Sequence, residues 1–290
     1  MSGAPLDPAV AGTFYPADPL LLGPLVDSLL TAAAAVPRPA GLAGATVLGL
    51  LVPHAGLAFS GAIAASSWRL VGEIAPTTIV LAGTDHQAWA SGVGVWTGGP
   101  WRTPLGDALI DLHVALRIAA LGAPFAAENS PHAAEHSLEV QLPLLNRACP
   151  GARIVPLAVS PRLGNHVEAG ARLGRLLAHL RGAGERILLV ASSDLAHYPP
   201  ANVCEAVDRE LLEPLLRLDG DALLAVESGL RRANLPGLVC GLCGIDPVRF
   251  FLAALREMGA TKGHLLAAAT SADAGGDRRR TVGYASAAFV

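Results

Sequence analysis

Thr46-Val47-Leu48-Gly49-Leu50-Leu51-Val52-Pro53-His54-Ala55-Gly56 carries an unbroken apolar run into a proline, a histidine and a glycine. A run of this length, closed by a turn signal, reads as a buried β-strand with a polar side chain presented at its end. Two further segments repeat the arrangement. Thr77–Leu81 leads to Gly83-Thr84-Asp85-His86, and Arg186–Val190 leads to Ser192-Ser193-Asp194-Leu195-Ala196-His197. In a parallel α/β sheet the carboxyl ends of successive strands share one edge, where ligands collect. His54, His86, Asp194 and His197 are therefore expected to meet in space, and their chemistry suggests a metal.

Working outward from these strands, helical and strand patterns alternate along the chain. Helices are expected over Leu20–Ala34, Gly61–Leu70, Asp107–Leu121, His136–Ala148, His166–Leu180, Ala201–Leu218, Asp221–Val226 and Pro247–Met258. Further strands are expected at Val93–Trp96 and Arg153–Ala158. Two closing strands, His264–Thr270 and Thr281–Phe289, flank the charged loop Asp273–Arg280 and suggest an antiparallel hairpin. Residues through Pro19 read as an irregular lead-in, and Pro37–Gly44 as a linker. The pattern is that of an α/β protein: one three-layer domain over residues 1–290, with a mainly parallel central sheet between helices.

Composition narrows the function. Of 290 residues, 52% are hydrophobic and 16% charged, which excludes a largely disordered chain. The net charge is −3 with no basic block, so neither nucleic acid nor an anionic membrane is an expected partner. Ala40–Ser67 lacks any charged residue, but Pro53, His54 and five glycines interrupt it, arguing against a membrane span. The start has no signal-peptide pattern, and four cysteines make no disulfide framework, so a cytoplasmic protein is expected. No Gly-x-Ser-x-Gly elbow, P-loop or dinucleotide fingerprint is present.

Each candidate residue has a functional and a structural reading. His54 and His86 are either metal ligands or hydrogen-bonded core histidines. Asp85 either orients an imidazole or caps the next segment. Asp194 and His197, spaced i, i+3, share a face if that stretch forms a helical turn; they are then an acid/base pair, or Ser193 is a helix cap. Cys243 lies just before a helix start, where a thiol tends toward thiolate, whereas Cys240 is expected to be a buried neutral thiol. A single Cys-x-x-Cys excludes a four-cysteine zinc site. His136 and Glu139, again i, i+3, line a cleft or support a metal ligand, or form an ordinary surface pair.

The clusters in order resemble those of the Memo family, whose bacterial members include the B component of the AmmeMemoRadiSam system. The resemblance runs from Ala11-Gly12-Thr13-Phe14-Tyr15 to Val282-Gly283-Tyr284-Ala285. It includes Thr103-Pro104-Leu105-Gly106, Glu135-His136-Ser137-Leu138-Glu139 and Cys243-Gly244-x-x-Pro247. It implies a fold related to class III extradiol dioxygenases and one mononuclear metal ion. By motif the ligands would be His54, His86 and Cys243, with Asp194 and His197 in the same cleft. Where the family has Ser-His-His, the second histidine is Gln87 here, a change expected in the cleft wall but not in the metal ligands.

The resemblance and the donor types favour Fe(II), then copper, with zinc last. The expected function is a dioxygenase-like oxidoreductase acting on a small molecule, with dioxygen as co-substrate and His197 moving protons. The alternatives are a non-catalytic metal-binding or adaptor protein, and a zinc-type hydrolase. The resemblance also implies radical-SAM and AMMECR1-type partners.

Overall fold

The computed structural model describes residues 3–290. One eight-stranded sheet runs through them in the order β4-β3-β5-β2-β6-β1-β8-β7. Its centre is four parallel strands: β5 (Arg153–Val159), β2 (Thr78–Thr84), β6 (Ile187–Ser192) and β1 (Gly49–Val52). On one flank β3 (Val93–Val95) runs antiparallel to β5 and carries the short β4 (Phe125–Ala127) parallel to itself. On the other flank β8 (Gly283–Phe289) is antiparallel to β1 and pairs with β7 (Gly263–Thr270) as the expected hairpin.

The apolar runs are long because both faces of the sheet are covered. Along β6, Ile187, Leu189 and Ala191 enter one core, and Leu188 and Val190 the other. The first core is closed by α3 (Leu112–Ala119), α6 (His166–Gly182), α7 (Ala201–Leu216), α8 (Gly220–Ala233) and α9 (Ile245–Glu257). The second is closed by α1 (Pro19–Ala34), α2 (Leu57–Ile74) and α5 (Leu142–Ala148). This is the expected three-layer arrangement. No described helix is long and apolar enough to cross a membrane.

Several expected elements differ. The helix over His136–Ala148 is two helices, α4 (His136–Glu139) and α5. Pro143 has no N–H with which to continue α4, and it suits the first turn of a new helix. At the break Gln141 turns into the core, donating to the Pro53 carbonyl at 2.8 Å and accepting from Trp68 Nε1 at 2.9 Å. The helix over Asp107–Leu121 begins only at Leu112, because Asp111 accepts from Val114 N–H as its cap. Before it, Ala108 and Ile110 make isolated bridges to Trp101 and Ile154. The α8 helix outruns Asp221–Val226 by a turn or more, and β4, only three residues long behind Pro124, is not among the expected strands. The segment from Asp194 to His197 forms no helical turn: His197 bridges Cys240 and Val282 in extended backbone.

Candidate metal centre

Three parallel strands deliver their carboxyl ends to one place. His54 follows β1, His86 follows β2, and Asp194 follows β6; α4 and the loop before α9 add His136 and Cys243. Together with Phe14, His197, Tyr198 and Val282 they line a cleft of about 370 Å³. A hollow of about 520 Å³ between Arg38, Thr46 and Arg186 is larger, but it lies at the opposite strand ends and gathers no histidine or cysteine.

The His54 ring is fixed by a chain of hydrogen bonds. Ser192 Oγ donates to the Ser137 carbonyl at 2.6 Å and accepts from Gln141 at 3.1 Å. Ser192 Oγ then accepts from His54 Nδ1, 3.2 Å away, which leaves Nε2 as the lone pair. Burial, then the neighbouring His86 and His136, holds the His54 pKa well below its usual value, so the ring is neutral and able to ligate.

His86 is held by Glu135, whose carboxylate accepts from its backbone N–H at 2.8 Å and from Nδ1 at 2.9 Å. Nε2 is thereby the exposed lone pair, and Cys243 Sγ lies 3.0 Å from it. Glu135 also accepts from Ser137 N–H at 2.8 Å as the cap of α4. Burial raises its pKa, but these hydrogen bonds, that to His86 first, outweigh burial and bring it down to about 2. This is the carboxylate–histidine arrangement that fixes tautomer and ring orientation in metal sites.

His136 stacks on His86 with ring centroids 4.5 Å apart and 29° between planes, and it also meets Phe14 at 5.0 Å and the edge of His54 at 5.4 Å. One nitrogen from each of His54, His86 and His136 falls within 4.8 Å of the others, a cluster able to hold one metal ion. The chemistry of the donors fits a metal: imidazoles converging on one point, two of them oriented by second partners, with a thiol in contact.

Four expectations about these residues change. Asp85 does not orient His86; one oxygen accepts from Ala90 N–H at 2.6 Å and the other is buried without a partner among the described residues. Glu139 does not support a ligand either. Its two oxygens accept from Ala9 and Val10 N–H and from the Tyr15 hydroxyl, at 2.8, 3.0 and 2.6 Å, pinning the N-terminal segment that brings Phe14 to the cleft. Asp194 does not hold the His197 ring. It accepts from His54 N–H at 2.6 Å, while His197 Nδ1 donates to the Leu195 carbonyl at 2.8 Å. Gln87 is exposed and does not line the cleft.

The Cys243 thiol also departs from the helix-dipole reasoning. Burial, reinforced by the neighbouring Asp194 and Glu135 carboxylates, pushes its pKa up. Its N–H bonds the Asp194 carbonyl, and the α9 cap is Gly244. Thiolate at Cys243 thus requires a bound cation, which deprotonates a coordinating thiol. Burial pushes Cys240 up to about 11, as expected of a neutral thiol. Close packing shapes this loop: a side chain at Gly244 would collide with Thr84 Oγ1 at the end of β2.

Sequence reasoning missed Glu135, Ser192 and Gln141. Glu135 was within the quoted motif; its position just before a helix start, two residues ahead of Ser137, marked it as a cap.

The sequence model of the Memo-like protein family matches residues 7–288. A MEMO1 family protein of Methanopyrus kandleri is 32% identical over 97% of this chain and 98% of its own length. Another, from Methanothermobacter thermautotrophicus, is 34% identical over 96% and 98%. The crystal structure of an uncharacterized protein from Escherichia coli K12 superposes with a TM-score of 0.54 at 18% identity, covering 84% of this chain and all of that one. That likeness is one of fold.

Proposed function

The chain belongs to the Memo-like protein family, and from that premise we propose that its cleft holds one redox metal, iron or copper, and oxidises a small molecule. The observation that carries this reading is the convergence of oriented imidazoles and a thiol at one sheet edge. We assign His54, His86 and Cys243 as the ligands. Cys243 Sγ meets the lone-pair nitrogen of His86, whereas His136 lies flat against the His86 ring. When bound, the metal would supply a redox couple and open positions for a substrate and dioxygen.

The chain's own residues supply orientation and proton transfer. Glu135 and Ser192 set which nitrogens of His86 and His54 face the cleft. His197, with Nδ1–H given to Leu195, keeps Nε2 as the acceptor for a substrate proton. Asp194 is buried, and burial raises its pKa. His54 and Asp194 are buried at the strand ends.

A binding-only reading rests on one observation: Asp194 and His197 make no hydrogen bond to each other. Oxygen uptake decides between the two. Anaerobically Fe(II)-loaded protein, given small-molecule substrates, should consume dioxygen, and His197→Ala should keep its metal and lose the uptake. Full metal occupancy with no substrate-dependent uptake would establish the binding-only reading.

A further inference from the structure

We propose that the cleft mouth recognises an organic anion. Arg280 would bind a carboxylate-type group of a small molecule whose apolar part lies against Tyr198 and Phe14, with its reactive end at the ligands. This rests on the reading of the cleft as a small-molecule metal site and names the substrate class it takes.

Tyr198 carries the first observation. It lines the cleft, is 37% exposed, and holds φ +71°. The left-handed region is rarely occupied by a bulky aromatic residue, and such conformations persist where surrounding bonds impose them. Here they do. Tyr198 N–H donates to the Thr281 carbonyl at 2.6 Å, and Thr281 answers with N–H and Oγ1 to the Pro199 carbonyl at 2.9 and 2.7 Å. This clamp ties the end of the charged loop Asp273–Arg280 to the segment carrying His197.

Arg280 carries the second. Its guanidinium carbon sits 4.1 Å from the Tyr198 ring centroid, a cation–π stack. Stacking uses the flat face of the guanidinium and leaves its in-plane donors unspent. Among the described residues none of those donors has a hydrogen-bond or ion-pair partner. Arg279 beside it is bonded to Asp277 at 3.0 and 3.1 Å, and Asp273 is taken by Thr270. The nearby acids are therefore engaged elsewhere.

The cleft supplies the third. No lysine or arginine lines it, and its floor holds the Asp194 carboxylate with Glu135 beneath His86. Arg280 stacks on a ring that lines the cleft, which sets a guanidinium beside it, one ring away from the cavity. Carboxylates at the floor and a guanidinium at the rim orient an anion outward and its uncharged end inward. Phe14, set by the Glu139 clamp on the N-terminal segment, faces the cleft as a second apolar wall.

The test uses ¹⁹F NMR of two probes of similar shape: 4-fluorobenzenesulfonate, an anion that ligates metals weakly, and the neutral 4-fluorophenyl methyl sulfone. Both are titrated into metal-free and Fe(II)-loaded full-length protein, with iron per chain measured on the loaded samples. The sulfonate should bind both forms. Arg280→Met should weaken it about tenfold, the loss expected for a charge-assisted hydrogen-bonded pair, and leave the sulfone unchanged. Arg280→Lys should fall between, because it keeps charge without the planar fork. Equal sulfonate binding by wild type and Arg280→Met overturns the inference, as does no binding at all. Binding only to the loaded form, insensitive to Arg280→Met, puts the anion on the metal and overturns it too. One iron per chain with no Arg280-dependent binding sinks this inference alone. Arg280-dependent binding without iron uptake sinks the metal reading and keeps the anion site.

Discussion

Replacing Glu135 by glutamine removes the charge that organises the ligand cluster while keeping the side chain's shape. The carboxylate accepts from His86 N–H, His86 Nδ1–H and Ser137 N–H at 2.8, 2.9 and 2.8 Å, and it is fully buried. An amide turns an NH₂ toward at least one of those donors and leaves it unsatisfied. The folded carboxyl is held at about 2 against a usual 4.5. The unfolded chain therefore takes up the proton first as pH falls. The stabilisation is complete above about pH 4.5 and lost as pH drops through about 2, and it is of order 3 kcal/mol. Urea unfolding of metal-free protein should show Glu135→Gln less stable by about 2–3 kcal/mol at pH 7, with the gap closing between pH 4.5 and 2. Metal affinity, measured by competition with a chelator, should fall roughly 10–100-fold as the His86 ring loses its orientation. A pH-independent gap, or wild-type metal affinity in Glu135→Gln, would refute this reasoning.

Cys243→Ser should lose most of its metal with the fold intact by circular dichroism, while Cys240→Ser keeps its metal at a packing cost of about 1 kcal/mol. Equal loss in both would mean a two-cysteine site. His136→Ala should retain one metal per chain by elemental analysis; metal lost as completely as in Cys243→Ser would make His136 the third ligand. Glu139→Gln should free the N-terminal segment from α4, so that limited proteolysis cuts within residues 3–15 several times faster than in wild type, whereas an unchanged cleavage rate would show that the Tyr15 and backbone bonds do not hold the segment.

The sheet centre was legible because its strands are buried on both faces and read as continuous apolar runs ended by Pro53-His54, Asp85-His86 and Ser193-Asp194. Their convergence followed from parallel topology alone. What sequence reasoning could not supply was the partner of each ring. Asp85 and Glu139 stood at natural spacing from His86 and His136, yet Glu135, 49 residues from His86, holds that ring. Ser192 and Gln141, which fix His54, are distant and uncharged. Spacing also misled at Asp194 and His197, where i, i+3 proximity assumed a turn that the bridges to Cys240 and Val282 replace. Short β4 and the break at Gln141 depend on tertiary packing, which overrides local pattern.

X-ray absorption at the iron edge of anaerobically Fe(II)-loaded protein tests the central claim most directly. The account predicts one iron per chain, a shell of imidazole nitrogens, and one sulfur at about 2.3 Å, the usual metal–thiolate distance, with the sulfur absent in Cys243→Ser. Iron no higher than background, or a shell of nitrogen and oxygen alone in the wild type, would contradict it.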